Sequence, residues 1–168
     1  MHKNKKANDV NMLMRFNVNP KLLKSILVPA LIGIALYFVN VSFISWMFEA
    51  FPHTVALVFG KGSWWLDAPI YVKAVYVGIV GPVIEEVVFR KLLLGYFVNR
   101  GNVRIGLLVS TVVFAGYHLL IGWGILKAVI MLVPGVVFGV MFIKYGFRGC
   151  LSCHLSNNVL AVVGIVSS

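Results

Sequence analysis

Gly81-Pro82-Val83-Ile84-Glu85-Glu86-Val87-Val88-Phe89-Arg90 places two glutamates side by side in a run that is otherwise apolar from Ala74 to Phe89. The whole chain has only five acidic residues, the others being Asp9, Glu49 and Asp67, so this placement is not a by-product of acidic composition. An ionisable group at the bilayer centre costs roughly 2.5 to 3.5 kcal/mol on insertion scales, and such residues read as functional by default. Glu86 and Arg90 are four apart, the spacing of neighbours on one helix face, and an ion pair there would account for one carboxylate structurally. Glu85 has no such partner in the sequence. It is the first candidate for chemistry.

Working outward, hydrophobic residues make up 60% of the 168 and charged residues 12%, against about 45–50% and about 25% in ordinary globular domains. Several apolar runs are long enough to cross a bilayer. The expected fold is all-α: one polytopic membrane helical bundle of about five transmembrane helices with a cytoplasmic N-terminus. The formal charge of +10 invites a nucleic-acid partner. That reading is rejected, because the basic residues are not gathered on one face with interleaved aromatics. They sit at the ends of the apolar runs, as the positive-inside rule requires.

Residues 1–21 read as a basic cytoplasmic tail, whose apolar group Val10, Met12, Leu13, Met14 and Phe16 could lie along the headgroups. Residues 22–48 read as the first transmembrane helix; the run is longer than a signal-peptide core and lacks a small-residue cleavage site. Residues 49–68, with Pro52, Gly60, Gly62 and the pair Trp64-Trp65, read as an outer loop. Residues 69–166 form the core. Its first apolar segment, 69–98, exceeds the roughly 20 residues needed to span, which predicts either a tilted, kinked helix or a break at Gly81-Pro82. A break would put the glutamates in the first turns of a half-helix, where the dipole favours negative charge. Further helices are predicted over about 105–121, 125–145 and 149–166. A basic turn (Asn99 to Arg104) and a second one bracketed by Lys144 and Arg148 belong inside, and Gly122-Trp123-Gly124 outside.

Three predicted helices thus carry polar groups at depth: Glu85 and Glu86, then His118, then His154 with Asn158. Such groups should face the bundle interior and meet. His154 and Asn158, four apart, share a face. Glu85 and Glu86 diverge by about 100°, so one can face a cavity while the other turns to Arg90. A lone histidine is more often a packing residue, and a lone asparagine is more often interhelical glue. The joint occurrence is what points to chemistry. A glutamate beside a histidine in a low-dielectric pocket suits general-base activation of water, and a further histidine with an amide donor suits an oxyanion. One tension remains in the linear reading. At about 1.5 Å per residue, Glu85 and His118 lie on the order of 20 Å from the turn at 99–104, and His154 only about 8 Å from the turn before it. The depths agree if the second helix is broken or tilted, or the fifth starts deeper.

Glu85-Glu86-x-x-x-Arg90, Phe114-x-x-x-His118 and His154-x-x-x-Asn158 occur in this order on separate helices, with Pro82 three residues ahead of the glutamates and Phe89 before Arg90. Together they resemble the motifs of the CPBP intramembrane proteases, which include CAAX prenyl endopeptidases and bacterial Abi-type proteins. The resemblance covers about residues 69–166. It implies an endopeptidase in which Glu85 activates water with help from His118, His154 and Asn158 hold the oxyanion, and Glu86 and Arg90 support them. The chain has no His-Glu-x-x-His. A zinc ion held by Glu85, His118 and His154 is the alternative to the favoured metal-free site. The expected partners are the lipid bilayer and a membrane-associated peptide or protein, with no nucleic acid. The expected location is a bacterial cell membrane. No terminal prenylation box is present. A non-enzymatic bacteriocin-immunity or binding role on the same scaffold is the competing function, and a proton-coupled transporter ranks behind it for want of an inverted repeat. Cys150 and Cys153, a C-x-x-C, read as packing residues.

Overall fold

Helix α1 (Pro20–Ala50) begins where local chemistry dictates. Asn19 Oδ1 accepts a hydrogen bond from the Lys21 N–H at 3.0 Å, and Pro20 occupies the first helical position, where its missing donor costs nothing. The structure is a computed structural model describing residues 19–54, 57–58 and 68–167, with side chains to 164. The apolar group at 10–16 and most of the expected 49–68 loop lie outside these residues. Along α1 only Pro29, Gly33, Leu36 and Met47 are buried, while Leu31, Phe38, Val39 and Trp46 point outward. An apolar exterior of this kind suits lipid rather than water.

The inner face of α1 packs on the last helix, α5 (Leu132–Ser167), through small residues and hydroxyl bonds. Ser152 Oγ donates to the Ile26 carbonyl at 2.8 Å and Ser156 Oγ to the Ala30 carbonyl at 2.9 Å. Helices in lipid associate through close packing and interhelical hydrogen bonds of this type. Gly33 sits at the closest approach: a Cβ there would overlap the Cys153 carbonyl and Ser156 Oγ. Gly33→Ala is therefore expected to push α1 off α5 and cost about 1–3 kcal/mol, read as a lower melting temperature of the purified protein in detergent.

The run 70–98, here α2, is helical throughout, so of the two alternatives at Gly81-Pro82 the chain takes the continuous helix and not the break. It alternates between α (Ile70–Val75, Gly81–Glu85, Gly95–Val98) and π (Tyr76–Val80, Glu86–Leu94). Gly81 is helical at φ −54°, ψ −60°, and its N–H bonds the Tyr76 carbonyl five residues back. Pro82 supplies no N–H. The widened turn absorbs the proline without breaking the rod, and it shifts the register of the glutamates that follow.

Helix α3 (Val103–Leu120), the short α4 (Ile125–Ile130) and α5 complete the bundle. Within α5, Gly146 is non-helical at φ 71°, ψ −168°, a conformation open to glycine and strained for other residues. The chain turns there, between Lys144 and Arg148, as the sequence led one to expect. Among the described residues, three helices are long and apolar enough to cross a membrane: Pro20–Ala50, Val103–Leu120 and Ile125–Gly164. The expected count of about five goes beyond these; it takes 70–98 as a span and divides 125–164 at Gly146. The molecule is an all-α membrane bundle. Phe89, Leu94, Phe114, Phe138 and Met141 fill its core with the free thiols Cys150 and Cys153, both fully buried.

Candidate active site

Successive residues on a helix diverge, and the two glutamates of α2 part company accordingly. Glu86 and Arg90 are both fully buried, with Arg90 Nη1 3.1 Å from Glu86 Oε1. Arg90 Nη2 donates to the Gly135 carbonyl on α5 at 3.2 Å, and its guanidinium lies over the Phe114 ring, 4.2 Å from the centroid. Glu85 instead turns to a cavity of about 660 Å³.

His154 stands between the carboxylates. Its Nδ1 bonds Glu86 Oε1 at 2.8 Å; a carboxylate only accepts, so Nδ1 carries the proton. Nε2 faces Glu85 Oε2 at 3.7 Å, an electrostatic contact too long for a hydrogen bond. Phe138 stacks on the imidazole, centroids 4.2 Å apart and planes 21° from parallel. The ring is held on three sides.

The Phe114-x-x-x-His118 spacing also has a local meaning. His118 Nδ1 bonds the Phe114 carbonyl, one helical turn earlier, at 2.9 Å. Carbonyls only accept, so Nδ1 donates, and in the neutral ring Nε2 carries the lone pair. His118 lines the cavity with Glu85; the two meet across that space rather than through a direct hydrogen bond.

Asn158 completes the set, and the proline explains its position. In the π turn the Gly81 N–H is used by Tyr76, and the next donor position is Pro82. The Val77 carbonyl is thereby left without a backbone donor. Asn158 Nδ2 donates to it at 2.9 Å across from α5, while Asn158 Oδ1 accepts from Asn157 Nδ2 at 2.9 Å. One Nδ2 hydrogen stays uncommitted by these bonds. Asn158→Ala is expected to cost about 0.5–1.5 kcal/mol, the net worth of one hydrogen bond to a part-buried carbonyl, and a melting curve reads it independently of activity.

Glu85, His118, His154 and Asn158 therefore line one cavity, with Glu86 and Arg90 packed beneath it. Sequence reasoning missed Phe138, the Gly135 carbonyl and the Val77 carbonyl. Only the last left a signal, the missing donor of Pro82. Among the described residues, no three His, Cys, Asp or Glu side chains converge as metal ligands. By donor type Glu85, His118 and His154 suit a metal, since each imidazole Nδ1 is held by an acceptor and leaves Nε2 with the lone pair, but their side chains are not gathered around one point.

A family model described as Rce1-like, type II CAAX prenyl endopeptidase, matches residues 67–160, more than half of the chain and every site residue above. The chain belongs to this family. It is thus a member of the Rce1-like, CPBP-type CAAX proteases and an integral membrane protein, and peptidase activity is the family's attribute. The matched stretch runs from just ahead of α2 into α5 and leaves α1 outside. Neither curated proteins nor solved structures gave a match to this CAAX-protease relative.

Proposed function

We propose that the protein is an intramembrane endopeptidase that hydrolyses a peptide bond of a membrane-associated peptide or protein, using water activated by Glu85 and His118 without a metal. The observation that carries this reading is the convergence of Glu85, His118, His154 and Asn158, drawn from three helices, on one cavity. In the proposed reaction Glu85 takes a proton from a water molecule that the His118 Nε2 lone pair orients in the cavity, the resulting hydroxide adds to the peptide carbonyl carbon, and Glu85 returns the proton to the amide nitrogen as the C–N bond breaks. The attacked carbonyl develops negative charge, and preorganised donors facing an oxyanion are worth several kcal/mol in a dry site. The free Asn158 Nδ2 hydrogen is one such donor; His154, whose proton on Nδ1 is held by Glu86, adds a second from Nε2 only as the doubly protonated ring. Glu86 and Arg90 act as positioning residues, Glu86 by fixing the His154 ring and Arg90 by neutralising Glu86.

The test uses purified protein in detergent or liposomes with a panel of quenched-fluorescent membrane peptides. Cleavage is expected, unchanged by a strong chelator, and slowed about 10²-fold or more by His118→Ala, the lower end for a general acid–base group. Cleavage lost to the chelator and restored by zinc would replace the metal-free mechanism. Cleavage at an unchanged rate in His118→Ala would remove that histidine from the mechanism.

A further inference from the structure

The cavity occupies one end of the bundle only. The lining residues closest to the helix ends are Ile44 on α1, Lys73 on α2, Trp123 in the α3–α4 turn, Lys127 on α4 and Gly164 on α5, and all of these belong to the same end. Toward the other end the bundle is closed by a layer of buried side chains, with Arg90, Leu94 and Cys150 fully inaccessible and Met141 nearly so. No residue of the turns at 99–102 and 146 lines the cavity.

The charges divide along the same axis. At the closed end lie Lys21, Lys24, Lys91, Arg100, Arg104, Lys144 and Arg148, and in sequence Lys3, Lys5, Lys6 and Arg15 precede α1. Several of these cations rest on aromatic rings: Arg100 on Tyr96 at 3.6 Å, Lys144 on Tyr145 at 5.5 Å and Lys91 on Phe147 at 5.8 Å. Cation and aromatic together mark a membrane–water interface. At the cavity end the described ionised groups are Lys73 and Lys127, set against Glu49, and in sequence Lys61 and Asp67 lie between α1 and α2. The positive-inside rule counts Lys and Arg in short loops near helix ends, and here it is decisive: the closed end is cytoplasmic.

We propose that the active-site cavity opens on the extracytoplasmic side and takes its substrate there, so that the substrate class is an exported peptide or an extracytoplasmic segment of a membrane protein. The word substrate rests on the peptidase reading; the direction of access rests only on charge and cavity shape. A chain end presented at the cytoplasmic face meets the sealed, basic end of the bundle instead.

Thiol accessibility in the intact membrane separates the two claims. Cys150 and Cys153 are fully buried and remain in place as a silent background. Three full-length variants each add one cysteine: His53→Cys, exposed beyond the end of α1 on the cavity side; Trp123→Cys, in the cavity lining; and Arg100→Cys, in the opposite turn. The probe is a membrane-impermeant methanethiosulfonate applied to intact cells and then to permeabilised ones. The expected result is that His53→Cys and Trp123→Cys are modified before permeabilisation and Arg100→Cys only after it. Modification of Arg100→Cys in intact cells overturns the orientation. Modification of His53→Cys without Trp123→Cys, or of neither, places the mouth elsewhere and overturns the access claim. If the labelling pattern holds while no peptide is cleaved from either side of sealed vesicles, the peptidase reading fails and the direction of access stands.

Discussion

Glu85→Gln is expected to lower kcat by about 10²- to 10⁴-fold, the range supplied by a positioned general base, while leaving the melting temperature nearly unchanged. The substitution keeps the shape of the side chain and removes its ability to take a proton. Among the described residues the Glu85 carboxylate makes no hydrogen bond that the amide would forfeit; it faces His154 Nε2 at 3.7 Å. It also lies next to the buried Glu86 in a site of low dielectric, so removing one of two adjacent like charges relieves repulsion. Loss of an interaction made only in the transition state lowers kcat and kcat/KM together and spares KM. The measurement is therefore a full kinetic curve on a cleaved membrane peptide, paired with thermal unfolding of the same preparation. Wild-type turnover in Glu85→Gln would remove Glu85 as the base. Loss of turnover accompanied by collapse of the fold would make the residue structural.

Glu86→Gln provides the contrast, because the same chemical change falls on the other face of the helix. Its carboxylate binds both His154 Nδ1 and Arg90, so stability and activity should fall together. Adjacent residues of identical type thus carry separable expectations, set by a turn of about 100° on one helix.

Much of this was legible in the residues before any coordinates. The ends of α1 fall within two residues of the expected 22–48 span, because the length of the apolar run marks them; the Asn19-Pro20 start was not read. The Glu86–Arg90 pair followed from i, i+4 spacing, and the turn near Gly146 from its flanking cations. At Gly81-Pro82 the choice between a continuous, kinked helix and a break stayed open for a definite reason. Proline removes one donor and clashes with the preceding turn, and a sequence does not say whether the chain answers with a break or with a wider turn. Packing of α2 on α5 decided for the wider turn, since Asn158 supplies the donor that Val77 lacks. The orientation of His154 was likewise out of reach. Helical spacing put it on the face of Asn158, but its ring direction is set by Glu86 and by the stacked Phe138, which are 68 positions away in the first case and unmarked by any motif in the second.

Arg90→Met should destabilise the protein by about 3–5 kcal/mol, the cost of breaking a buried pair by removing one partner. Nothing else in the described core does what Arg90 does. It faces Glu86 at 3.1 Å, ties α2 to α5 through the Gly135 carbonyl at 3.2 Å, and covers Phe114 at 4.2 Å. Methionine fills most of the volume and keeps some contact with the ring, so the loss is chiefly electrostatic: Glu86 would remain charged and buried without its cationic partner, left with His154 and the Cys150 thiol beside it. Arg90→Lys should rescue only part of the loss, since an ammonium cannot stack on Phe114 and reach both oxygen partners with a planar fork. The double variant Glu86→Gln/Arg90→Met is the informative one. Buried ion pairs replaced as a unit are often close to neutral in stability, so it should melt well above Arg90→Met alone, and the double-mutant cycle should report a coupling of at least about 1 kcal/mol. Its activity should nevertheless stay low, because the His154 ring loses the carboxylate that aims it. A double variant that is both stable and fully active would show that His154 needs no anchor, and the support role assigned to Glu86 and Arg90 would fall.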